Sequence, residues 1–168
     1  MKDYKFRIFV DGSFDNAYNI GTVAYHMQDA VYNVDGKLIK LGIANKTFAS
    51  QVRGCKDALD SEICAIALGF DILKKVMGSN PILNKVPVRI KSDNLPLVKY
   101  ITKSSLTKGL EFNDDLIEEL DYLRNKYAKL KEEYSNFKLS YIPSKKNLAH
   151  DNAIEMLRWE RLQRINSL

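Results

Sequence analysis

Cysteine is scarce in this chain. Cys55 and Cys64 are its only two in 168 residues, and their spacing suits neither a metal knuckle nor a disulfide framework. A stapled secreted module is therefore disfavoured, and a reducing compartment, the cytoplasm, is the expected location. Proline and glycine are also few, at four and eight, with no Gly/Ser-rich stretch that would act as a linker. No apolar run approaches the roughly 20 residues a membrane span needs. The N-terminal Tyr4-Lys-Phe-Arg-Ile-Phe-Val10 segment alternates and is too short for a signal core, so a soluble, unexported protein without a membrane partner is expected. Internal repeats and low-complexity tracts are absent too.

What is present suffices for one core. Hydrophobic residues make up 45% of the chain, enough at this length for a single domain over 1–168 without covalent staples. Lys and Arg number 26 against 21 Asp and Glu, a net charge of +5. That is a moderate bias toward polyanionic partners and weak evidence alone.

The pattern of apolar residues predicts an α/β chain. Tyr4 to Val10 alternates as a strand ended by Asp11-Gly12, Gly21 to Met27 as a second, and a third is expected from Leu38 to Phe48 after a turn at Asp35-Gly36. Ile63, Ile66, Ala67, Phe70, Leu73 and Met77 recur at helical spacing, with Asp60 as the expected N-cap and Gly78 as the C-cap. Val86 to Ile90 then forms a short strand, Asn94 to Ile101 a short helix with Pro96 in its first turn, and about 112–134 a longer helix. Phe137 to Ile142 is a last strand that Pro143 breaks. A helix from about Asn147 carries Ile154, Leu157, Leu162 and Ile165. Three hairpin-linked strands followed by strands alternating with helices imply a mixed sheet, its later strands joined by right-handed crossovers. Sites in such sheets form at strand ends and helix starts.

Four acids stand at such places: Asp11, Glu62, Asp93 and Asp151. Each has an ordinary local explanation. Asp11-Gly12 is a hairpin-turn pair, Glu62 falls in an expected first helical turn, Asp93 can cap the next helix, and Asp151 can be an exposed helical residue. Their joint placement is what carries meaning. Carboxylates gathered at the edge of a core repel one another unless cations neutralise them. Mg²⁺ suits such a group, because it takes oxygen ligands and binds through a few carboxylates together with substrate phosphates.

Four segments in order resemble ribonuclease H of type 1 and the wider ribonuclease H-like nuclease superfamily. They are Ile8-Phe-Val-Asp11-Gly-Ser13, Asp60-Ser-Glu62-Ile-Cys-Ala65-Ile-Ala-Leu68, Val88-Arg-Ile-Lys-Ser-Asp93-Asn94, and Tyr141-Ile-Pro-Ser-Lys-Lys-Asn147-Leu-Ala-His-Asp151-Asn-Ala153. The resemblance implies a five-stranded mixed sheet, three antiparallel strands then parallel ones, flanked by helices. It also implies an endoribonuclease that hydrolyses the RNA strand of RNA-DNA hybrids with two Mg²⁺ or Mn²⁺ ions, leaving a 3′ hydroxyl and a 5′ phosphate. By family position Asp11 would bridge both metals, Glu62 and Asp93 would complete the site that holds the water nucleophile, and Asp151 would bind the metal on the leaving-group side. Gly12, Ser13 and Phe14 would approach the RNA strand, and Asn94, Lys145, Lys146 and Asn147 are the further positions expected to meet substrate. A monomer is the expected assembly.

The chain departs from the family pattern in three places. Ala58 and Leu59 occupy the stretch where an Asn that reads the hybrid often precedes the helix glutamate. Leu95 stands where a polar contact is frequent, and Ser144-Lys-Lys146 lacks the loop histidine of many members, with His150 no clear replacement. Two other readings therefore stay open: a related nuclease such as a junction resolvase or exonuclease, and a non-catalytic nucleic-acid-binding module of the same fold. Among the remaining features, Asp114, Asp115, Glu118, Glu119 and Asp121 are expected to form a solvated face. Lys99, Lys103 and Lys108 suit either phosphate contacts or an ordinary surface. His26 is expected to be packed or at the surface, Cys64 to fill space beneath the sheet, and Trp159 to pack its ring against the body.

Overall fold

Alternation of side chains sets the first strand. In β1 (Phe6–Asp15) the residues Phe6, Ile8 and Val10 point into one layer of the core and Phe9 into the other. The computed structural model describes residues 6–28, 31–34, 37–40, 46–103 and 114–167. β1 turns back through residues 16–19 into β2 (Ile20–Gln28), its antiparallel partner. Asp15 Oδ1 closes the turn by accepting from the Ala17 and Tyr18 amides at 2.8 and 3.1 Å, and Asn19 takes the left-handed φ of 52°. β3 (Val31–Val34) and β4 (Lys37–Lys40) pair in a separate two-stranded ribbon, and β5 (Lys46–Val52) lies antiparallel to β2. β6 (Val88–Ser92) runs parallel to β1, and β7 (Phe137–Tyr141) parallel to β6. The main sheet is thus five-stranded and mixed, in the order β5-β2-β1-β6-β7.

Helices cover both faces. α1 (Ala58–Ser79) lays Ile63, Ile66, Phe70, Leu73 and Met77 on the layer built by Phe6, Ile8 and Val10. α2 (Leu95–Thr102) and α3 (Asp114–Glu133) extend that layer with Leu97, Ile101, Leu116, Leu120, Leu123 and Leu130. Phe70 meets Phe137 edge to face at 6.2 Å, and burying a ring of that size contributes about 2–3 kcal/mol. α4 (His150–Asn166) lies on the opposite face, where Ala149 and Ala153 press on Phe9 and Ala24. Among the described residues no helix is long and apolar enough to cross a membrane.

Several boundaries differ from the sequence expectation. Asp11-Gly12 is no turn, because β1 continues through it to Asp15. The expected third strand at 38–48 divides between β4 and β5, while Asp35, Gly36 and residues 41–45 lie outside the described residues. α1 begins earlier than Asp60. Asp57 caps it by accepting from the Asp60 amide at 2.7 Å, and Asp60 Oδ2 in turn accepts from the Lys56 amide at 3.0 Å. Gly78 sits inside the helix, whose C-cap is Asn80. Trp159 does not pack its ring: it is 53% exposed, and Leu162 and Ile165 are exposed with it. Lys108 lies outside the described residues, whereas Lys99 and Lys103 are exposed. His26 is half-buried and bonds Thr47 Oγ1 across to β5 at 2.7 Å.

Candidate metal centre

Three chain segments meet where β1 and β6 run side by side. Asp11 is the sixth residue of β1, and at 2% exposure it is a carboxylate enclosed in the protein. Asp93 follows β6 directly and does not cap α2. That task falls to Asn94, whose Oδ1 accepts from the Leu97 amide at 3.1 Å, which leaves the Asp93 carboxylate for the site. Glu62 is the fifth residue of α1, beyond the first turn in which sequence had placed it, and it faces Asp11 and Asp93. The close approach of β1 to α1 depends on Gly12. A Cβ there would stand 2.4 Å from the carbonyl carbon and oxygen of Ser61.

The electrostatics of this pocket are unfavourable without a counter-ion. Glu62 is pushed up to about 9 by burial, then by the Asp11 and Asp93 carboxylates, so it holds a proton at neutral pH. Its Oε2 is enclosed and has no hydrogen-bond partner. Asp11 is pushed up to about 6 by burial and by Asp93, against the opposing pull of His150 and of the Gly12 amide, which donates to Oδ1 at 3.0 Å. An enclosed oxygen without a partner beside two further carboxylates is what a bound cation would satisfy.

His150 supplies the nitrogen of the group. Its Nδ1 lies 2.6 Å from Asp11 Oδ2, and ligand atoms of Asp11, Asp93 and His150 all fall within 4.8 Å of one another. Ligands of an octahedral ion at about 2.1 Å are roughly 3 Å apart when adjacent and 4.2 Å when opposed, so small side-chain shifts would bring these atoms round one ion. No other such group of His, Cys, Asp or Glu occurs among the described residues; Glu62 stands beside Asp11 and lies outside this three-residue group.

Asn147 fixes this geometry from the loop before α4. It is 6% exposed, and its Nδ2 donates to Val10 O at 2.9 Å and to Asp93 Oδ2 at 3.3 Å, while its Oδ1 accepts from the Ala149 amide at 3.1 Å. Its amide, expected from sequence to meet substrate, is engaged within the protein. Thr22 Oγ1 on β2 donates to Ala153 O at 2.8 Å and pins the first turn of α4. With Ala149 and Ala153 against the sheet, the 100° step of the helix sets where their neighbours stand. His150 falls at the edge of the buried face. Asp151, one step further round, is exposed and stands outside the group that contains Asp11.

The other expected contact residues are distributed around this pocket. Gly12, Ser13 and Phe14 are half-buried along β1, and Asn94 is half-buried as the cap of α2. Lys145 and Lys146 are exposed in a 3₁₀ turn (Ser144–Lys146) directly before Asn147. The residue that sequence reasoning undervalued is His150. Its only signal was its place, three residues after Asn147 at a helix start.

No protein-family model matches the chain, and no curated protein matches its sequence. Solved structures do match its backbone. RNase H1 from the halophilic archaeon Halobacterium salinarum superposes with a TM-score of 0.58 at 15% identity, covering 92% of this chain and 98% of that one. LC11-RNase H1, isolated from compost by a metagenomic approach, gives 0.57 at 16% identity over 92% of this chain and 93% of that one. LC11-RNase H1 in complex with an RNA/DNA hybrid gives 0.51 at 15% identity, covering 89% and 99%.

Proposed function

From a ribonuclease H-like fold that brings Asp11, Glu62 and Asp93 together, we propose that this chain is a metal-dependent nuclease acting on RNA-DNA hybrids. The observation that carries the reading is the enclosed carboxylate group itself. A protein gains nothing in stability by burying Asp11 against Asp93 and leaving Glu62 Oε2 without a partner. Such an arrangement is kept where cations and a polyanion complete it.

Divalent cations bound here would supply Lewis acidity and a water nucleophile of lowered pKa; two of them, about 3.5–4 Å apart, suit in-line displacement at phosphorus. The residues have separable tasks. Asp11 neighbours Glu62 and contacts His150, and would be the carboxylate that two ions share. Glu62 and Asp93 flank it, and Asn147 holds the Asp93 carboxylate. Lys145 and Lys146, exposed in the turn directly before Asn147, would meet phosphates of the substrate. The fourth ligand would come from the head of α4.

The choice of hybrid over other nucleic acids rests on the resemblance in sequence and fold, and the experiment is a cleavage panel. RNA-DNA hybrid, duplex RNA, duplex DNA and branched DNA are incubated with Mg²⁺ or Mn²⁺, with Asp11→Asn protein as control. Cuts confined to the RNA strand of the hybrid and lost in the control are expected. Cuts in branched or duplex DNA would assign a resolvase or exonuclease, and salt-sensitive binding without turnover would assign a binding module.

A further inference from the structure

We propose that His150, through Nδ1, and not Asp151, is the fourth metal ligand, and that the mixed nitrogen-and-oxygen set selects a first-row transition ion such as Mn²⁺ over Mg²⁺. This deepens the metal-dependent nuclease reading and rests on it.

The head of α4 is held from three sides. Asn147 ties the preceding loop to Val10 and Asp93, Thr22 anchors Ala153, and the small side chains of Ala149 and Ala153 let the helix sit directly on Phe9 and Ala24. To exchange His150 for Asp151, α4 would have to turn by about 100°. That turn would lift both alanines from the sheet and break the Thr22 bond. In the observed register the imidazole is already in the pocket, 2.6 Å from Asp11 Oδ2, while the side chain is 40% exposed.

While Asp11 is ionised its carboxylate only accepts, so the 2.6 Å contact is one in which Nδ1 donates. With the ring proton on Nε2 instead, the Nδ1 lone pair faces Asp11 and the space it shares with Asp93. Nitrogen in place of oxygen has a predictable consequence. Carboxylate and water ligands suit Mg²⁺, which gives up its waters reluctantly, whereas imidazole favours the transition ions.

The test reads metal binding directly. Metal-free protein is titrated with Mn²⁺ and with Mg²⁺ by calorimetry, and the Mn²⁺ form is examined by pulsed electron paramagnetic resonance for coupling to a ligand ¹⁴N. His26 is the only other histidine, and it is engaged with Thr47 between β2 and β5. Wild-type protein is expected to bind Mn²⁺ more tightly than Mg²⁺ and to show the ¹⁴N coupling. His150→Ala is expected to lose the coupling and to weaken Mn²⁺ at least about tenfold, the least that losing even a ligand's supporting partner costs. His150→Asp, which controls for folding, is expected to bind both ions without the coupling and without the preference. Asp151→Asn is expected to leave the coupling and the Mn²⁺ affinity intact. Mn²⁺ bound without ¹⁴N coupling, or binding that survives His150→Ala and fails in Asp151→Asn, overturns the proposal and leaves the nuclease reading standing. Absence of binding by the wild type, or binding indifferent to Asp11→Asn, removes both.

Discussion

Replacing Gly12 by Ala would put a Cβ 2.4 Å from the Ser61 carbonyl and 2.8 Å from the Glu62 amide, backbone atoms that cannot swing away. The expected cost is about 1–3 kcal/mol, as for overpacking in general, measured by urea denaturation. Asp11 would be displaced along with it. Glu62 makes stability depend on pH in a stated direction. Its ordinary value is 4.5 and its folded value about 9, so between these the native state holds a proton that the unfolded chain has released. This contribution is fully present below 4.5 and is lost as the pH rises toward 9. Asp11 adds a smaller loss between 3.8 and about 6. In metal-free protein the melting temperature should therefore fall as pH rises from 5 to 9 by this route, and Glu62→Gln should flatten the slope and melt several degrees higher at pH 8. A steeper slope in Glu62→Gln would contradict a buried, proton-holding carboxyl at this position.

Elements gain their meaning from what fastens their ends. Asn147→Ala removes donors to Val10 O and Asp93 and leaves a buried carbonyl without a partner, at a cost of about 1–3 kcal/mol. Cleavage should fall more than stability alone accounts for, since Asp93 and the head of α4 lose their register. The comparison is made on protein shown to be folded by circular dichroism. Much at this scale was legible in sequence. The helix from Ile63 to Met77 and the Pro96 helix start lie on their elements, and the strand expected from Val86 to Ile90 runs two residues later, from Val88 to Ser92, because 3.6- and 2-residue periods are local properties. Asp11-Gly12 misled for an equally local reason. Its turn propensity is real, but β1 gains pairing to β2 through Asp15 and β1–α1 contact through Gly12, and tertiary packing wins. The cap of α1 moved for a related reason: Asp57 accepts from the Asp60 amide and Asp60 from the Lys56 amide, and neither could be preferred from residue type alone.

For the molecule as a whole, metal and stability are coupled. Any ion that binds the folded state alone stabilises it by RT ln(1 + [L]/Kd), about 2.7 kcal/mol at a hundredfold excess over Kd. Scanning calorimetry should show the melting temperature of the wild type rise with Mn²⁺ and that of Asp11→Asn stay put; an equal rise in both would place the ion elsewhere. The net charge of +5 predicts nucleic-acid binding that weakens as salt rises, and Lys145→Glu with Lys146→Glu should reduce that salt slope without abolishing the metal response. Sequence by itself determined the order of strands and helices from the first helix onward and nominated Asp11, Glu62, Asp93 and Asp151, because apolar periodicity and residue type at an element's end are written along the chain. Tertiary structure alone decided which neighbouring side chain at the head of α4 enters the pocket. Ala149 and Ala153 lie flat on Phe9 and Ala24, and that packing sets a helix rotation that turns His150 toward Asp11 and Asp151 toward solvent, a difference of about 100° that no one-dimensional pattern encodes.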